Sequence, residues 1–295
     1  METRMPGPTL PERYSPAQCE ANYNLRARHP DALELMAGWQ RQAASARATL
    51  EHYADERFGE STHELIDVFP AARRDAPAVM FIHGGYWQAG DKHDVSFVAP
   101  LLVRSGICVA INNYALAPGA SLDTMVAQTR NALHWLHRNA GRFGIDANRL
   151  YVMGHSAGGH LAAMMLTTHG AANGVAAPVR GAIALSGLFD LVPLVDTSIN
   201  RALGLDEANA RRLSPARIAR RSDAPIHTLV GEGETRGFHE QRTLLSSQWQ
   251  RVHALPPVPR RHHYDILEIF REPGNAWLDS IVGIVRTATN PGSVL

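Results

Sequence analysis

The 295-residue sequence lacks most of the features that mark a specialised class of protein. Its two cysteines, Cys19 and Cys108, cannot build a disulfide framework and lie in no metal-ligand spacing. Lys plus Arg (29) nearly balance Asp plus Glu (28), which gives nucleic-acid or anionic-membrane binding little electrostatic support. Apolar runs are too short to span a bilayer, and residues 1–15 lack the pattern of a secretory signal. We therefore expect a cytoplasmic protein with reduced thiols that binds neither nucleic acid nor membrane.

Histidine is abundant, with 15 residues, but its spacing does not indicate a metal site. His134 and His137 lie three residues apart in a helical pattern, and no third ligand accompanies them. We expect neither a metal ion nor another cofactor.

Short apolar runs alternate with helical patterns along most of the chain. Five nearly continuous apolar runs are typical of parallel strands covered on both faces, and they occupy 78–82, 107–112, 150–154, 181–186 and 226–230. A further strand candidate is 62–69, and helical patterns occupy 121–144, 157–170, 237–252 and 275–288. This alternation predicts an α/β fold with an open, mostly parallel sheet and helices on both faces.

The first part of the chain has a different character. Residues 1–60 are polar and helix-prone, most clearly over 32–54, and they contain no strand-like run. We expect a helical N-terminal extension over 1–60 that packs on a main domain over 61–295.

The heptapeptide GHSAGGH places Ser156 directly after the strand candidate 150–154, and a helical pattern follows it. A tight turn from strand to helix needs small residues, and Gly154 and Gly158 provide them. Such a turn raises the serine hydroxyl above the sheet edge and leaves the N–H of Ala157 free at a helix N-terminus, where negative charge is favoured. We predict that Ser156 is a nucleophile.

A second motif, HGGYW, directly follows the first of the five apolar runs. Glycines after a strand let the backbone approach a substrate oxygen, so the N–H groups of Gly84 and Gly85 are expected to form an oxyanion hole with Ala157. Both motifs follow strands, at the edge where open parallel sheets bind ligands. Tyr86 and Trp87 follow the two glycines, so we expect their side chains to contact the substrate.

A serine nucleophile needs a histidine base and an acid that orients this base. The acid is expected after the strand candidate 226–230, where GEGE offers Glu234 as the preferred residue and Glu232 as its competitor. Asp223 is a poor candidate because it precedes the strand.

The base is expected in the loop before the last helix, within 256–266. His263 is preferred there, and His262 is the alternative. His239 falls on the predicted next helix, and His253 falls on a last strand candidate, so neither is favoured.

These motifs resemble those of the α/β-hydrolase superfamily and, within it, the kynurenine formamidase (arylformamidase) branch of the esterase and lipase group. HGGYW is similar to the HGGxW motif of that branch. Other similar blocks are YNLRARHPD (23–31), NYALAP (113–118), GHSAGGHLAAM (154–164), SGLFDLVPL (186–194), VGEGE (230–234) and HYDI (263–266). The resemblance implies an α/β-hydrolase fold, a triad of Ser156, Glu234 and His263, and an oxyanion hole formed by Gly84, Gly85 and Ala157.

The resulting expectation is a cofactor-free serine hydrolase that cleaves the formamide of an aromatic amine such as N-formylkynurenine. A carboxylesterase for small acyl esters is the alternative, because it uses the same groups. A binding protein on a hydrolase fold is a third reading, which is disfavoured since every role in the triad has a candidate. The expected partner is a small-molecule substrate, and the sequence leaves open whether the chain forms a homodimer.

Overall fold

The protein forms an eight-stranded sheet in a computed structural model that describes residues 14–169, 171 and 177–287. The strands are β1 (Tyr53–Arg57), β2 (Leu65–Phe69), β3 (Ala76–Ile82), β4 (Cys108–Asn112), β5 (Ile145–His155), β6 (Gly181–Leu185), β7 (Ile226–Leu229) and β8 (Val252–Ala254). Their order in the sheet is β1-β2-β4-β3-β5-β6-β7-β8. The strands from β3 to β8 run parallel, and β1 and β2 pair antiparallel at one edge. The predicted open, mostly parallel sheet is confirmed.

Helices cover both faces of this sheet. The described α-helices are α1 (Pro16–Tyr23), α2 (Leu25–Arg28), α3 (Ala32–Thr49), α4 (Lys92–Val95), α5 (Ala99–Arg104), α6 (Leu122–Arg138), α7 (Ala157–Met164), α8 (Asn200–Leu203), α9 (Glu207–Arg212), α10 (Arg236–Gln248) and α11 (Ala276–Thr287). Buried side chains of α6, α7 and α10 share one apolar layer with the sheet, and those of α3, α5 and α11 share the other.

The central strand β5 shows why the strands read as continuous apolar runs. Leu150 and Val152 belong to the apolar layer with α6 and α7, whereas Tyr151 and Met153 belong to the layer with α3 and α11. Because successive side chains of a strand point to opposite faces, a strand covered on both faces has no polar side. The residues that follow β5 are therefore attached to a strand that is buried on both faces.

The N-terminal segment differs from its prediction in one element. Helix α3 ends at Thr49, and β1 then pairs antiparallel with β2, within the range 1–60 for which the sequence predicts no strand. The sequence YADER of β1 is polar because this edge strand is largely exposed, so hydrophobic alternation cannot reveal it. Residues of α1 contact α10, and residues of α3 contact α4, so the helices pack on the sheet domain. A domain boundary at residue 60 stays a prediction.

Three predicted features fall partly outside the described residues. The start of the N-terminal extension precedes Tyr14, and the predicted ends of two helices, at Gly170 and Ala288, also lie outside. Within the described ranges, no helix combines the length and the apolar character that crossing a membrane requires.

A buried ionic cluster joins the N-terminal elements to the sheet. The ammonium of Lys92 lies 2.9 Å from Asp67 and 2.7 Å from Asp55, and the side chains of Lys92 and Asp67 are fully buried. Arg47 on α3 also pairs with Asp67. Because α4 follows the HGGYW loop, this cluster holds α3, β1 and β2 against the segment behind that loop.

Candidate active site

Ser156 occupies a strained turn between β5 and α7. Its φ of 56° and ψ of −116° fall outside the regions that a serine usually adopts. A Cβ on Gly158 would come within 2.0 Å of the carbonyl oxygen of Ile82, and one on Gly154 within 2.1 Å of the carbonyl oxygen of Gly158. Only glycines fit this turn, which is the physical reason for the spacing in GHSAGGH.

The HGGYW loop runs beside the serine. A Cβ on Gly84 would lie 3.2 Å from the Cβ of Ser156, so this loop and the turn are in close contact. Gly85 has a φ of 108°, and a Cβ there would come within 2.1 Å of the carbonyl oxygen of Ala89. The N–H groups of Gly84, Gly85 and Ala157 donate to no acceptor among the described residues. These three N–H groups are therefore not engaged by the described part of the chain, which is what an oxyanion hole requires of its donors.

Glu234 and His263 form a buried pair. Nδ1 of His263 donates a hydrogen bond to Oε2 of Glu234 over 2.9 Å. The other carboxylate oxygen accepts from the N–H of Gly231 over 3.0 Å and from the hydroxyl of Ser186. Burial raises the pKa of the Glu234 carboxyl, but His263 together with the other two donors outweighs this effect and lowers the pKa below its usual value.

Ser186 supports this pair, and sequence reasoning does not identify it. It directly follows β6 and has a φ of 50°, a left-handed conformation that is uncommon for serine. The one sequence signal for such a role is its position at the carboxyl end of a predicted buried strand, the same edge that carries Ser156.

His155 supports the loop of the candidate base, and it too is not identified from the sequence. Its Nε2 donates a hydrogen bond to the carbonyl of His263 over 2.8 Å, and the two rings lie 4.8 Å apart. The pKa of His155 is lowered to about 3, mainly by burial and to a smaller extent by the neighbouring His263. His155 therefore stays neutral at physiological pH and remains a hydrogen-bond donor to this loop.

Ser156 and His263 line one cavity of about 480 Å³. No hydrogen bond joins their side chains, and such contacts often tighten only when substrate binds. Gly84, Gly85 and Tyr86 line the same cavity. Its wall also includes the apolar side chains of Met36, Trp39, Phe81, Val95 and Leu267.

The two aromatic residues after the glycines have different surroundings. Tyr86 lines the cavity and donates a hydrogen bond from its hydroxyl to the carbonyl of Tyr23. Trp87 does not line the cavity; it is fully buried, and its ring packs edge-on against His160 at 5.1 Å. Of the pair predicted to contact substrate, Tyr86 alone faces the cavity, and Trp87 packs behind the loop.

The alternative triad residues lie elsewhere. Glu232 is exposed and accepts a hydrogen bond from the N–H of Arg260 over 3.0 Å. His239 lies on α10, and His253 is exposed on β8. His262 does not line the cavity, because its ring stacks on His29 at 4.1 Å.

His262 belongs instead to a small polar group with His29 and Asp31. The ligand atoms of these three side chains lie within 4.8 Å of one another, a spacing that could hold a metal ion. The two imidazole planes are inclined by only 21°, so one ion would not lie in both planes, as nitrogen lone pairs require. We interpret this group as a packing contact between the N-terminal segment and the loop of His263.

This fold and this cavity define an α/β hydrolase. The sequence model of the BD-FAE family matches residues 66–232, which is more than half of the chain. Kynurenine formamidase of Danio rerio is 32% identical over 269 residues, which cover 88% of this chain and 87% of the relative. Kynurenine formamidase of Salmo salar is 32% identical over 235 residues, which cover 76% and 78%. The chain therefore belongs to the BD-FAE family of α/β hydrolases, in the branch that contains kynurenine formamidases.

A solved structure agrees with this assignment. The crystal structure of a candidate thioesterase from Silicibacter sp. TM1040 is 28% identical and superposes with a TM-score of 0.81, covering 91% of this chain and 98% of that one. The similarity extends over nearly the whole fold.

Proposed function

We propose that this chain is a serine hydrolase that cleaves the formamide of an aromatic amine such as N-formylkynurenine, giving kynurenine and formate. The observation that carries the proposal is the hydrogen-bonded Glu234–His263 pair, whose histidine lines the same cavity as Ser156. The relationship to kynurenine formamidases supports the choice of substrate.

The proposed reaction begins when Ser156 Oγ attacks the formyl carbon and His263 Nε2 takes its proton. Glu234 holds the imidazole through Nδ1 and stabilises its charged form. The N–H groups of Gly84, Gly85 and Ala157 bind the oxyanion, and each donor contributes about 2.7–4 kcal/mol to the transition state by analogy with measured cases.

The attack of Ser156 forms a tetrahedral intermediate, and when this intermediate collapses its C–N bond breaks. His263 gives its proton to the departing arylamine, which leaves a formyl ester on Ser156. Water then attacks this ester, with His263 again taking and returning a proton, and formate leaves while the serine hydroxyl is restored.

Purified protein incubated with N-formylkynurenine tests the proposal, and the absorbance of kynurenine reports turnover. The Ser156→Ala variant is the matched control, because it removes one hydroxyl from a turn that glycines define. Rapid turnover by the wild type and none by the variant is expected. A wild-type protein that hydrolyses an aryl acetate but no aryl formamide would contradict the formamidase assignment.

A carboxylesterase for small acyl esters is the second candidate. Its specific support is the apolar wall of the cavity, which suits an ester without charged groups. The ratio of kcat/KM for an aryl formamide to that for the matching aryl acetate separates the two functions. A ratio well below one would favour the esterase.

A further inference from the structure

The cavity contains two formal charges of opposite sign. Among its described lining residues, Arg26 and Asp94 are the ones that are charged at neutral pH when histidine is neutral. Arg26 lies on α2 and Asp94 on α4. A cavity for a neutral ester needs neither charge, whereas a zwitterionic ligand matches both.

Arg26 has no partner in the part of the chain that the structure describes. It forms no hydrogen bond and no ion pair there, and its side chain is exposed at the cavity. Some other arginines are engaged: Arg217, for example, makes two hydrogen bonds to Asp190. A free guanidinium offers planar paired donors that match a carboxylate.

Asp94 is partly engaged. Nε2 of Gln40 donates a hydrogen bond to Oδ1 of Asp94 over 2.8 Å, and Oδ2 accepts from no described residue. Asp94 gives this region of the wall a negative charge, so a ligand that carries only an anion is disfavoured there. A ligand with an ammonium beside its carboxylate avoids that repulsion.

Two aromatic residues line the same cavity as these charged groups. The ring of Tyr264 lies 6.4 Å from the ring of Trp39, and both residues line the cavity. Trp39 directly precedes Gln40, whose side chain donates a hydrogen bond to Asp94. Burial raises the pKa of the Tyr264 hydroxyl, and the positive charge of Arg26 opposes this rise. The residues that line this cavity therefore offer aromatic rings for an aryl group and charged side chains for a charged substituent on it.

We propose that Arg26 binds the carboxylate of an α-amino-acid group on the substrate, and thereby selects zwitterionic aryl formamides over those that lack this carboxylate. The proposal rests on the proposed function for the reacting end of the ligand. It assigns a specificity residue to the N-terminal segment, outside the predicted main domain of the hydrolase.

Two ligand pairs that differ in this carboxylate test the assignment. N-formylkynurenine is compared with N-formylkynuramine in turnover, and kynurenine with kynuramine in calorimetric binding. Arg26→Gln is expected to lower kcat/KM for N-formylkynurenine by about 10- to 100-fold, mainly through KM. The loss for N-formylkynuramine is expected to be much smaller, and Arg26→Lys should retain part of the discrimination.

Arg28→Gln is the matched control, because Arg28 lies on the same helix but does not line the cavity. Equal losses for both substrates in Arg26→Gln, or no loss for either, would overturn the proposal. Binding separates it from the proposed function. If no formamide is hydrolysed, yet kynurenine binds more tightly than kynuramine and loses this advantage in Arg26→Gln, the carboxylate site stands and the formamidase proposal fails.

Discussion

Nδ1 of His263 donates its hydrogen bond to a Glu234 carboxylate that is itself held by two further donors, from Gly231 and Ser186. This arrangement fixes both the tautomer and the orientation of the imidazole, so that Nε2 is the nitrogen left for a substrate or for Ser156. The pair is buried, and burial strengthens the attraction between the carboxylate and the imidazolium that the proposed reaction would form.

Substitutions of the adjacent residues His262 and His263 test which of the two histidines is the base. His263→Ala is expected to lower kcat by about 10⁴-fold or more, as is Ser156→Ala, because members of a triad act as a unit. His262→Ala should retain most activity, since its ring stacks on His29 outside the cavity. Steady-state kinetics on an aryl formamide measure both, and a dead His262 variant with an active His263 variant would reverse our assignment.

Ser186 is expected to act as a positioning residue through Glu234. Ser186→Ala removes one donor to the carboxylate, so the pKa of Glu234 should rise toward its usual value. We expect kcat to fall by about 10-fold with KM nearly unchanged, since a hydrogen bond to a charged group contributes about 1.5–3 kcal/mol. The loss should be larger at acidic than at neutral pH, because a protonated Glu234 cannot stabilise the imidazolium. A pH-independent loss, or one in KM alone, would point to a general structural effect.

Lys92 is expected to contribute to stability rather than to turnover. Lys92→Met leaves the fully buried Asp67 with the ion pair to Arg47 and the hydrogen bond from the N–H of Asp55, and breaking a buried pair in this way typically costs about 3–5 kcal/mol. Denaturant unfolding should show this loss in the free energy of unfolding. Arg211→Met is the control, because it breaks an exposed pair with Glu207 and should cost less than about 1 kcal/mol. Equal losses in the two variants would contradict the role of the buried cluster.

Stability is expected to fall as the pH falls from about 6.5 toward 4. Burial lowers the pKa of His160 to about 4, whereas an unfolded histidine titrates near 6.5. Between these values the unfolded chain binds a proton that the folded chain does not, so each such group removes up to about 1.4 kcal/mol per pH unit. His160→Gln should make the free energy of unfolding less dependent on pH in this window, and His253→Gln, at an exposed site, should not. Identical slopes would contradict the assignment.

The sequence predicts the parts of this molecule that depend on local pattern. The parallel strands, the small residues around Ser156 and the glycines of the HGGYW loop each follow from a steric or hydrophobic rule that acts within a few residues. Ser186 contacts Glu234, and His155 contacts the carbonyl of His263. Both contacts join segments far apart in the chain, so no local spacing of residues predicts them.

Side-chain direction is the other feature that local pattern leaves open. Tyr86 and Trp87 have similar φ values of 50° and 58°, yet Tyr86 lines the cavity and Trp87 is buried in the core. Both residues lie in a turn rather than in a strand, so no periodic pattern in the sequence predicts which ring faces the cavity. The edge strand β1 is missed for the opposite reason, because its exposed side chains carry no hydrophobic signal.

The size of the acyl group offers the sharpest test of the preferred substrate class. Tyr86 follows the two glycines proposed for the oxyanion hole, lines the cavity and is held in place by the hydrogen bond from its hydroxyl to the carbonyl of Tyr23. A formyl carbon carries only hydrogen and fits beside this ring, whereas each added methylene must find room in the same space. Overpacking a filled site typically costs about 1–3 kcal/mol, which is roughly a 5- to 150-fold loss of rate if it falls on the transition state.

We therefore expect kcat/KM to fall steeply from formyl to acetyl to butyryl on one arylamine, measured with the purified protein. Tyr86→Ala should flatten the series by opening this space, while Tyr86→Phe keeps the ring, loses the hydrogen bond to Tyr23 and should keep most of the slope. A flat or rising series in the wild type would reject the formamidase assignment in favour of the esterase. A steep series that Tyr86→Ala leaves unchanged would mean that another part of the wall limits the acyl group, because the ring of Tyr86 would then not be the surface that the longer chains meet.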